Sequence, residues 1–353
     1  MVDAPLNLLQ LPLHAVSESH HLKVNMGNLF ESSSSSGSRA PCNLYLTAEE
    51  QLHLKSSIYH CLLDATNSLP FVDRGKVESV FGARDCRTFT KLFADYVIGE
   101  VTSYEKLEGV IVRCTRSSFM ATLSVLWEMI TYNPDVLGAD RFPVLLTMLI
   151  ELSTHLNSNI NLDNAHPHDA SCSREQRVLE ATNKLVDFCG YIYRRDIHAA
   201  TQDISAIEFP QVSFICSSFF PHAIRVFESH MNRICFPNLL TSPSYKFFQP
   251  PNLSVASEIV SPYDLVPLAF YHEHLQGEWK RLYSSSVDGS SFNRVTHHIL
   301  GYDGPTCIII KCMDSKSTII GAFTADRWKE SNRFYGLYST VVYPRSLIEV
   351  VAD

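Results

Sequence analysis

The sequence predicts an α+β protein, an N-terminal all-helical domain followed by a smaller strand-bearing module. Three observations predict it. Apolar residues recur at three- and four-residue spacing from Thr47 to Phe236, the period of helices that bury one face. A cluster of prolines, Pro237, Pro243, Pro250 and Pro251, then interrupts that period. Beyond it, residues 306–311 and 318–323 form short runs rich in β-branched side chains, separated by polar turn residues as in a hairpin. The domain division that follows is 1–43, a serine-rich segment without structure; 44–236, the helical domain; 237–256, a proline-rich linker; and 257–353, the strand-bearing module.

Composition bounds the function classes. With 353 residues, 45% of them hydrophobic, the chain has material for one large or two modest cores. A formal net charge of -8 argues against a nucleic-acid binder, which needs a basic face. No run of 18 apolar residues is present, so no transmembrane segment is expected. Residues 6–13 are apolar but short, broken by Pro12 and preceded by Asp3 rather than a basic stretch, a poor signal peptide. The ten cysteines are scattered without a C-x-x-C pair. They read as reduced, mostly buried thiols of a cytosolic protein, with no zinc site among them.

The elements follow in order. The unbroken serine run 32–36, with Gly37, Ser38 and Pro41, buries too little surface to offset its ordering entropy. Thr47 and Glu50 form a capping box ahead of a stripe of Leu54, Ile58, Cys61 and Leu62. Asp85 opens a second stripe, Phe89, Leu92, Phe93, Tyr96 and Val97. Thr102 and Glu105 make another capping box before Leu107, Val110 and Ile111. Leu123, Leu126, Trp127 and Ile130 share a face that ends at Asn133 and Pro134, and 144–156 reads as a buried helix. A polar loop, 157–172, precedes a helix capped by Ser173 and Gln176 and carrying Val178, Leu179, Leu185, Val186, Cys189 and Ile192. Pro221 sets a helix boundary within 212–236.

In the C-terminal module Ser261 and Pro262 open a short helix through Leu265, Leu268 and Leu275. Asp288 and Gly289 permit a tight turn, because glycine accepts positive φ. Phe292, Val295 and Ile299 place a short helix after it. Residues 306–311 read as a fully buried strand and 318–323 as its hairpin partner. Gly321 is expected at a close backbone approach, and Trp328, Phe334 and Tyr335 supply aromatic bulk for a core between sheets.

Four blocks in this module carry a resemblance: W-K-R-L-Y-S-S-S-V-D-G-S-S-F, G-P-T-C-I-I-I-K, I-I-G-A-F-T-A-D-R-W and R-F-Y-G. In this order and with short gaps they resemble the TLDc domain family, over roughly 257–336. The resemblance implies a partial TLDc β-sandwich, because the family's domain continues through further strands and a glycine-rich block. Met26, Gly27 and Asn28, the serine stretch, L-T-A-E-E-Q and the preceding helical domain are similar to a lysosomal, mTOR-linked branch. That branch implies protein partners, namely vacuolar proton ATPase subunits and mTOR pathway components, with protection against oxidative stress. It also implies a cytoplasmic protein held peripherally on the lysosomal membrane. Gly27 is the implied myristoylation site, acylated only if translation starts at Met26, and Glu31 departs from the serine or threonine of the general motif.

No catalytic motif competes with this reading. The chain lacks G-x-S-x-G, a Walker loop, H-E-x-x-H and a dinucleotide fingerprint, so neither an enzyme nor a cofactor is expected. His297 and His298 read as surface and packing residues. His166, His168, Asp169 and Cys172 are metal-capable but read as a solvated loop, and Asp163 and Asn164 lack the glycine and glutamate of a calcium loop. Glu273, Glu278 and Asp288 form no assignable acid–base pair. The expected partner-facing residues are Asp288, Gly289, Ser290, Ser291, Asp326, Arg327 and Arg333. Two alternatives stand beside this reading. One is a thiol-based redox enzyme using Cys307 or Cys312, the latter next to Lys311. The other is a helical adaptor whose C-terminal piece does not fold.

Overall fold

Thr47 starts the first helix as its sequence requires. Its hydroxyl accepts from the Glu50 amide, and its own amide donates to the Glu50 carboxylate at 2.9 Å. The computed structural model describes residues 46–62, 73–82, 86–100, 103–156, 172–197, 207–237, 246–312, 319–330 and 341–344. All of these fall in the unit Cys42–Asp353. The expectations for 1–43, Asp85, Thr102 and most of the 157–172 loop lie outside the described residues.

Helix α1 (Ala48–His53) runs through a π-helical turn (Leu54–Tyr59) into α2 (His60–Leu62). The wider π turn, with its i→i+5 bonds, keeps Leu54, Ile58 and Leu62 inward and sends Cys61 to the surface. This corrects the placement of Cys61 on the buried stripe. Helix α3 (Arg74–Phe81) has no counterpart in the sequence reading. Asp73 caps it, accepting from the Gly75 amide at 2.7 Å, but only Val77 and Phe81 are buried on it.

The next helices are α4 (Arg87–Glu100), α5 (Tyr104–Thr115), α6 (Phe119–Tyr132), α7 (Arg141–Leu156), α8 (Arg174–Ile197), α9 (Phe209–Phe219) and α10 (Ile224–Cys235). All five stripe residues of α4 are buried, as are Leu107, Val110 and Ile111 of α5 and Leu123, Leu126, Trp127 and Ile130 of α6. The cap of α5 is Ser103, whose hydroxyl accepts from the Lys106 amide at 3.3 Å. A capping hydroxyl sits three residues before the amide it receives, so the helix starts one residue later than the Thr102 box implied. On α8, Val178, Leu185 and Cys189 are buried, whereas Leu179 is exposed. Adjacent residues on a helix lie about 100° apart, so Val178 and Leu179 cannot both face a narrow core. The α9–α10 break falls at Pro221, as expected.

The core formed by these helices continues through the proline-rich stretch. Phe248 is buried there, and its ring lies 5.9 Å from that of Phe270. Helix α11 (Pro262–Tyr271) carries a capping box between Ser261 and Asp264, with Pro262 in its first turn. Its Tyr263, Val266, Ala269 and Phe270 join the same hydrophobic cluster. Lys184 of α8 donates to Asp264 at 2.6 Å, and the His222 amide donates to the Phe270 carbonyl at 2.9 Å.

Beyond α11 the chain turns to short strands. Strand β1 (Asn252–Leu253) pairs in parallel with β2 (Glu278–Trp279). After the small helices α12 (Ser285–Asp288) and α13 (Phe292–Ile299) come β3 (Thr306–Lys311), β4 (Ile319–Thr324) and β5 (Val341–Pro344). They form one antiparallel sheet in the order β3-β4-β5. Ile308 faces Ala322, Ile310 faces Ile320, and Gly321 sits buried between Ile309 and Tyr343. The expected β3–β4 hairpin is therefore formed.

Burial of this sheet differs from expectation. Side chains alternate across a strand. The face bearing Ile319 and Phe323 is buried, with the Phe323 ring 5.1 Å from that of His272. The opposite face carries Ile310 at 51% and Ile320 at 38% exposure. On β3 only Thr306 is buried, while Ile310 and Lys311 are exposed, which corrects its reading as a fully buried strand.

Candidate functional site

The turn between α12 and α13 is built around a single glycine. Gly289 takes φ +86, a backbone region in which a side chain is strained. The Tyr283 hydroxyl donates to its carbonyl at 2.5 Å, and the Ser284 amide donates to the Asp288 carboxylate at 2.8 Å. Arg294 of α13 donates to the Asp288 carbonyl. The turn is held from both sides, and Ser290 and Ser291 stand exposed at its tip. Asp288 itself is half-buried and acts as the acceptor that closes the one-turn helix α12.

Around this turn lie apolar side chains that nothing described covers. Val287 is 63% exposed and Phe292 is 57% exposed, and α13 buries none of its residues. The spacing of Phe292, Val295 and Ile299 placed the helix correctly. Spacing carries no information on whether a second layer lies against the stripe.

The second expected loop follows β4. The Asp326 amide donates to the Thr324 hydroxyl at 3.1 Å. Arg327 is exposed and pairs with Asp303 at 2.8 Å, an arrangement that ties this loop to the end of α13. Trp328 donates through its ring nitrogen to the Thr306 hydroxyl at 2.6 Å, so its aromatic bulk closes the start of β3. Arg333, Phe334 and Tyr335 lie outside the described residues, as do Gly27, Asp163, Asn164, His166, His168 and Asp169.

The titratable groups offer little chemistry. His297 and His298 are both exposed on α13, the latter with its ring 5.9 Å from Tyr283. Among the described residues no group of three or more His, Cys, Asp or Glu is placed to hold a metal ion. The described cysteines form no disulfide. Burial pushes the Cys307 thiol up to about 11 and the Cys216 thiol up to about 12. It raises Cys114, Cys189 and Cys235 as well. A thiol so shifted is the opposite of a reactive thiolate. Cys307 lies on β3 and Cys312 just beyond its end.

Two histidines mark the junction between the helical body and the sheet. His272 and His274 stack with ring centres 5.1 Å apart. Burial, and then His274, hold the His272 imidazole below its ordinary range. No sequence motif identified this pair, because its arrangement depends on the 3-10 turn Glu273–Leu275 that ends α11.

The fold therefore presents a sheet-and-helix module with a glycine-anchored loop and uncovered apolar side chains. A family model described as the TLDc domain matches residues 253–346, which shows the resemblance read from the sequence. The chain is also similar to MTOR-associated protein MEAK7 of Gallus gallus, 31% identical over 86 residues, which are 23% of this chain and 18% of that protein. MTOR-associated protein MEAK7 of Xenopus laevis is 37% identical over 62 residues, 18% of this chain and 13% of that protein. The chain thus spans less than a fifth of the length of each of these curated relatives. Among the described residues no helix is long and apolar enough to cross a membrane.

Proposed function

We propose that this chain is a non-catalytic regulatory protein that acts through contact, with the TLDc region as its docking unit. The observation that carries this reading is the coincidence of the TLDc match at 253–346 with uncovered Val287, Phe292, Ile310 and Ile320. An apolar surface rimmed by polar residues is the usual mark of a protein contact. The names of the relatives support mTOR pathway components as partners. Vacuolar proton ATPase subunits, a lysosomal membrane location, a role in oxidative-stress protection and acylation at Gly27 belong to the same proposal and rest on the family resemblance. The division into a helical domain at 44–236, a linker at 237–256 and a TLDc region at 257–353 rests on the helical period and the proline cluster of the sequence, and Phe248 with α11 packs into the helical core across that boundary. The contact loop comprises Asp288, Gly289, Ser290 and Ser291, with Asp326, Arg327 and Arg333 as a second edge.

Affinity capture tests the reading. The tagged full chain, isolated under conditions that keep the proton pump assembled, is expected to retain pump subunits or mTOR pathway proteins. The double substitution Ser291→Arg with Phe292→Asp is expected to reduce that capture about tenfold, a loss of about 1.4 kcal/mol. Capture of neither partner class, or capture indifferent to the double substitution, overturns the proposal.

The redox reading makes a separate demand. It needs a thiol with a lowered pKa beside positive charge, and the raised thiols of Cys307 and the helical body speak against it. Timed alkylation decides the matter: exposed Cys61 sets the reference rate. Labelling of Cys307 or Cys312 well above that reference would restore the redox alternative.

A further inference from the structure

We propose that Ser284 is a phosphorylation site for a serine kinase that reads basic residues ahead of its target. Lys280 and Arg281 stand four and three positions before it. Both are exposed, and neither enters an ion pair or side-chain hydrogen bond among the described residues. The chain from Lys280 to Ser284 forms no helix or strand, and Ser284 itself is extended at φ -143 and ψ 127. Such a stretch can enter a cleft without melting a helix or strand, once the Tyr283 and Ser284 bonds to Gly289 and Asp288 yield. Extended backbone puts three residues over about 10 Å, so Arg281 can reach an acidic subsite while Ser284 meets the phosphoryl donor. Charge patterns of this kind are how kinases select substrates. Ser284 is half-buried, with its hydroxyl paired at the surface with the Ser286 hydroxyl at 2.9 Å.

In the reaction the Ser284 Oγ attacks the γ-phosphorus of ATP. The new Oγ–P bond forms as the bond to the ADP oxygen breaks, and the hydroxyl proton passes to a carboxylate of the kinase. The product places a charge of about -1.5 to -2 on this turn. Two carboxylates stand beside it. The Ser284 amide already serves the Asp288 carboxylate at 2.8 Å. Ser286, the hydroxyl partner, donates to Glu258 at 2.9 Å. Repulsion from both carboxylates opens α12, detaches Glu258 and releases the Gly289 turn with Ser290 and Ser291. The regulatory meaning of that release rests on the proposed function, since it frees the loop assigned to partner contact; the modification itself does not.

Incubation of the purified full chain with the catalytic subunit of cyclic-AMP-dependent kinase and ATP tests the site without any partner present. The expected result is one phosphate on Ser284, located by fragmentation mass spectrometry. It is lost in Ser284→Ala with unchanged helical circular dichroism, and formed at least tenfold more slowly in Arg281→Gln. Amide exchange across 284–291 is expected to rise on phosphorylation while that of α4 stays constant. No incorporation into the folded chain, label confined to other serines, or a rate indifferent to Arg281→Gln overturns the proposal. Labelling and partner capture are read separately, so the failure of one is distinguishable from the failure of the other.

Discussion

Helices α4 and α13 carry the same signal and meet opposite fates. On α4 the stripe from Phe89 to Val97 is wholly buried among α3, α6, α7 and α10. On α13 the stripe leaves Phe292 exposed and Val295 and Ile299 only half-buried. Periodicity orients an apolar face; only a second layer removes it from water. The helical body supplies that layer from its own neighbouring helices. Among the described residues, the C-terminal sheet is buried mainly on the Ile319 and Phe323 side.

The sharpest way to break this comparison is to truncate one phenylalanine in each region. Phe142→Ala, in the fully buried centre of the helical body, is expected to cost about 3–5 kcal/mol in urea unfolding, transfer and cavity terms together. A cost under about 1 kcal/mol would mean that the body is loosely packed.

A second test uses pH. His230 is buried, with its ring nitrogen 3.0 Å from the Phe81 carbonyl and its ring 5.7 Å from that of His155. Burial lowers its pKa to about 4. The unfolded chain, with histidine near 6.5, then binds more protons between those values. Stability is full above about pH 6.5 and is lost as pH falls toward 4, by at most about 3 kcal/mol. Glu151 and Glu228, both raised by burial, act in the opposite sense, so the variant His230→Gln isolates the histidine part. Its unfolding midpoint is expected to fall less steeply than the parent's over that range. Parallel curves would mean that His230 is solvated.

The junction between body and module gives a smaller effect. Burial works against the Asp264 carboxylate, but Lys184 and the Ser261 cap outweigh it and hold it below the usual range. A depressed carboxylate stabilises above its unfolded pKa, and that contribution is lost as pH falls through the folded value. Lys184→Met is expected to cost about 1 kcal/mol, discounted because Lys184 is partly exposed, and to leave β3–β4 amide protection unchanged. Removing the first cap, Thr47→Ala, is expected to cost about 1 kcal/mol or less, read as faster amide exchange in α1. Phe292→Ala should stay within about 0.5 kcal/mol, measured in the same urea series. A larger loss would show that α13 is covered after all, and the contrast between the two regions would fall.

Much of the fold was legible because its signals are local. Thr47 with Glu50, Ser173 with Gln176 and Ser261 with Pro262 mark helix starts through contacts within one turn. The stripes of α4, α5 and α6 name their buried residues one by one. Gly289 announced its positive φ, and the β3–β4 pairing followed from two β-branched runs around a polar turn. What escaped was set by partners distant in sequence or by small shifts of register. Helix α3 buries only two apolar residues and so has little period to read. The parallel β1–β2 contact joins Asn252 to Glu278 across an intervening helix. The π turn rotated Cys61 out of a stripe that an ideal helix would have kept.

The candidate site divides in the same way. Its turn and its helix are written in W-K-R-L-Y-S-S-S-V-D-G-S-S-F, because capping, glycine conformation and helical spacing depend on neighbours a few residues apart. The sequence alone therefore determined the α+β class, most helix starts and the loop that presents Ser290 and Ser291. Tertiary structure alone decided which apolar faces meet a second layer, that α11 joins the helical core through Phe270 and Lys184, and that Ile310 and Ile320 face outward. Burial is a property of two surfaces, and one stretch of chain specifies only its own.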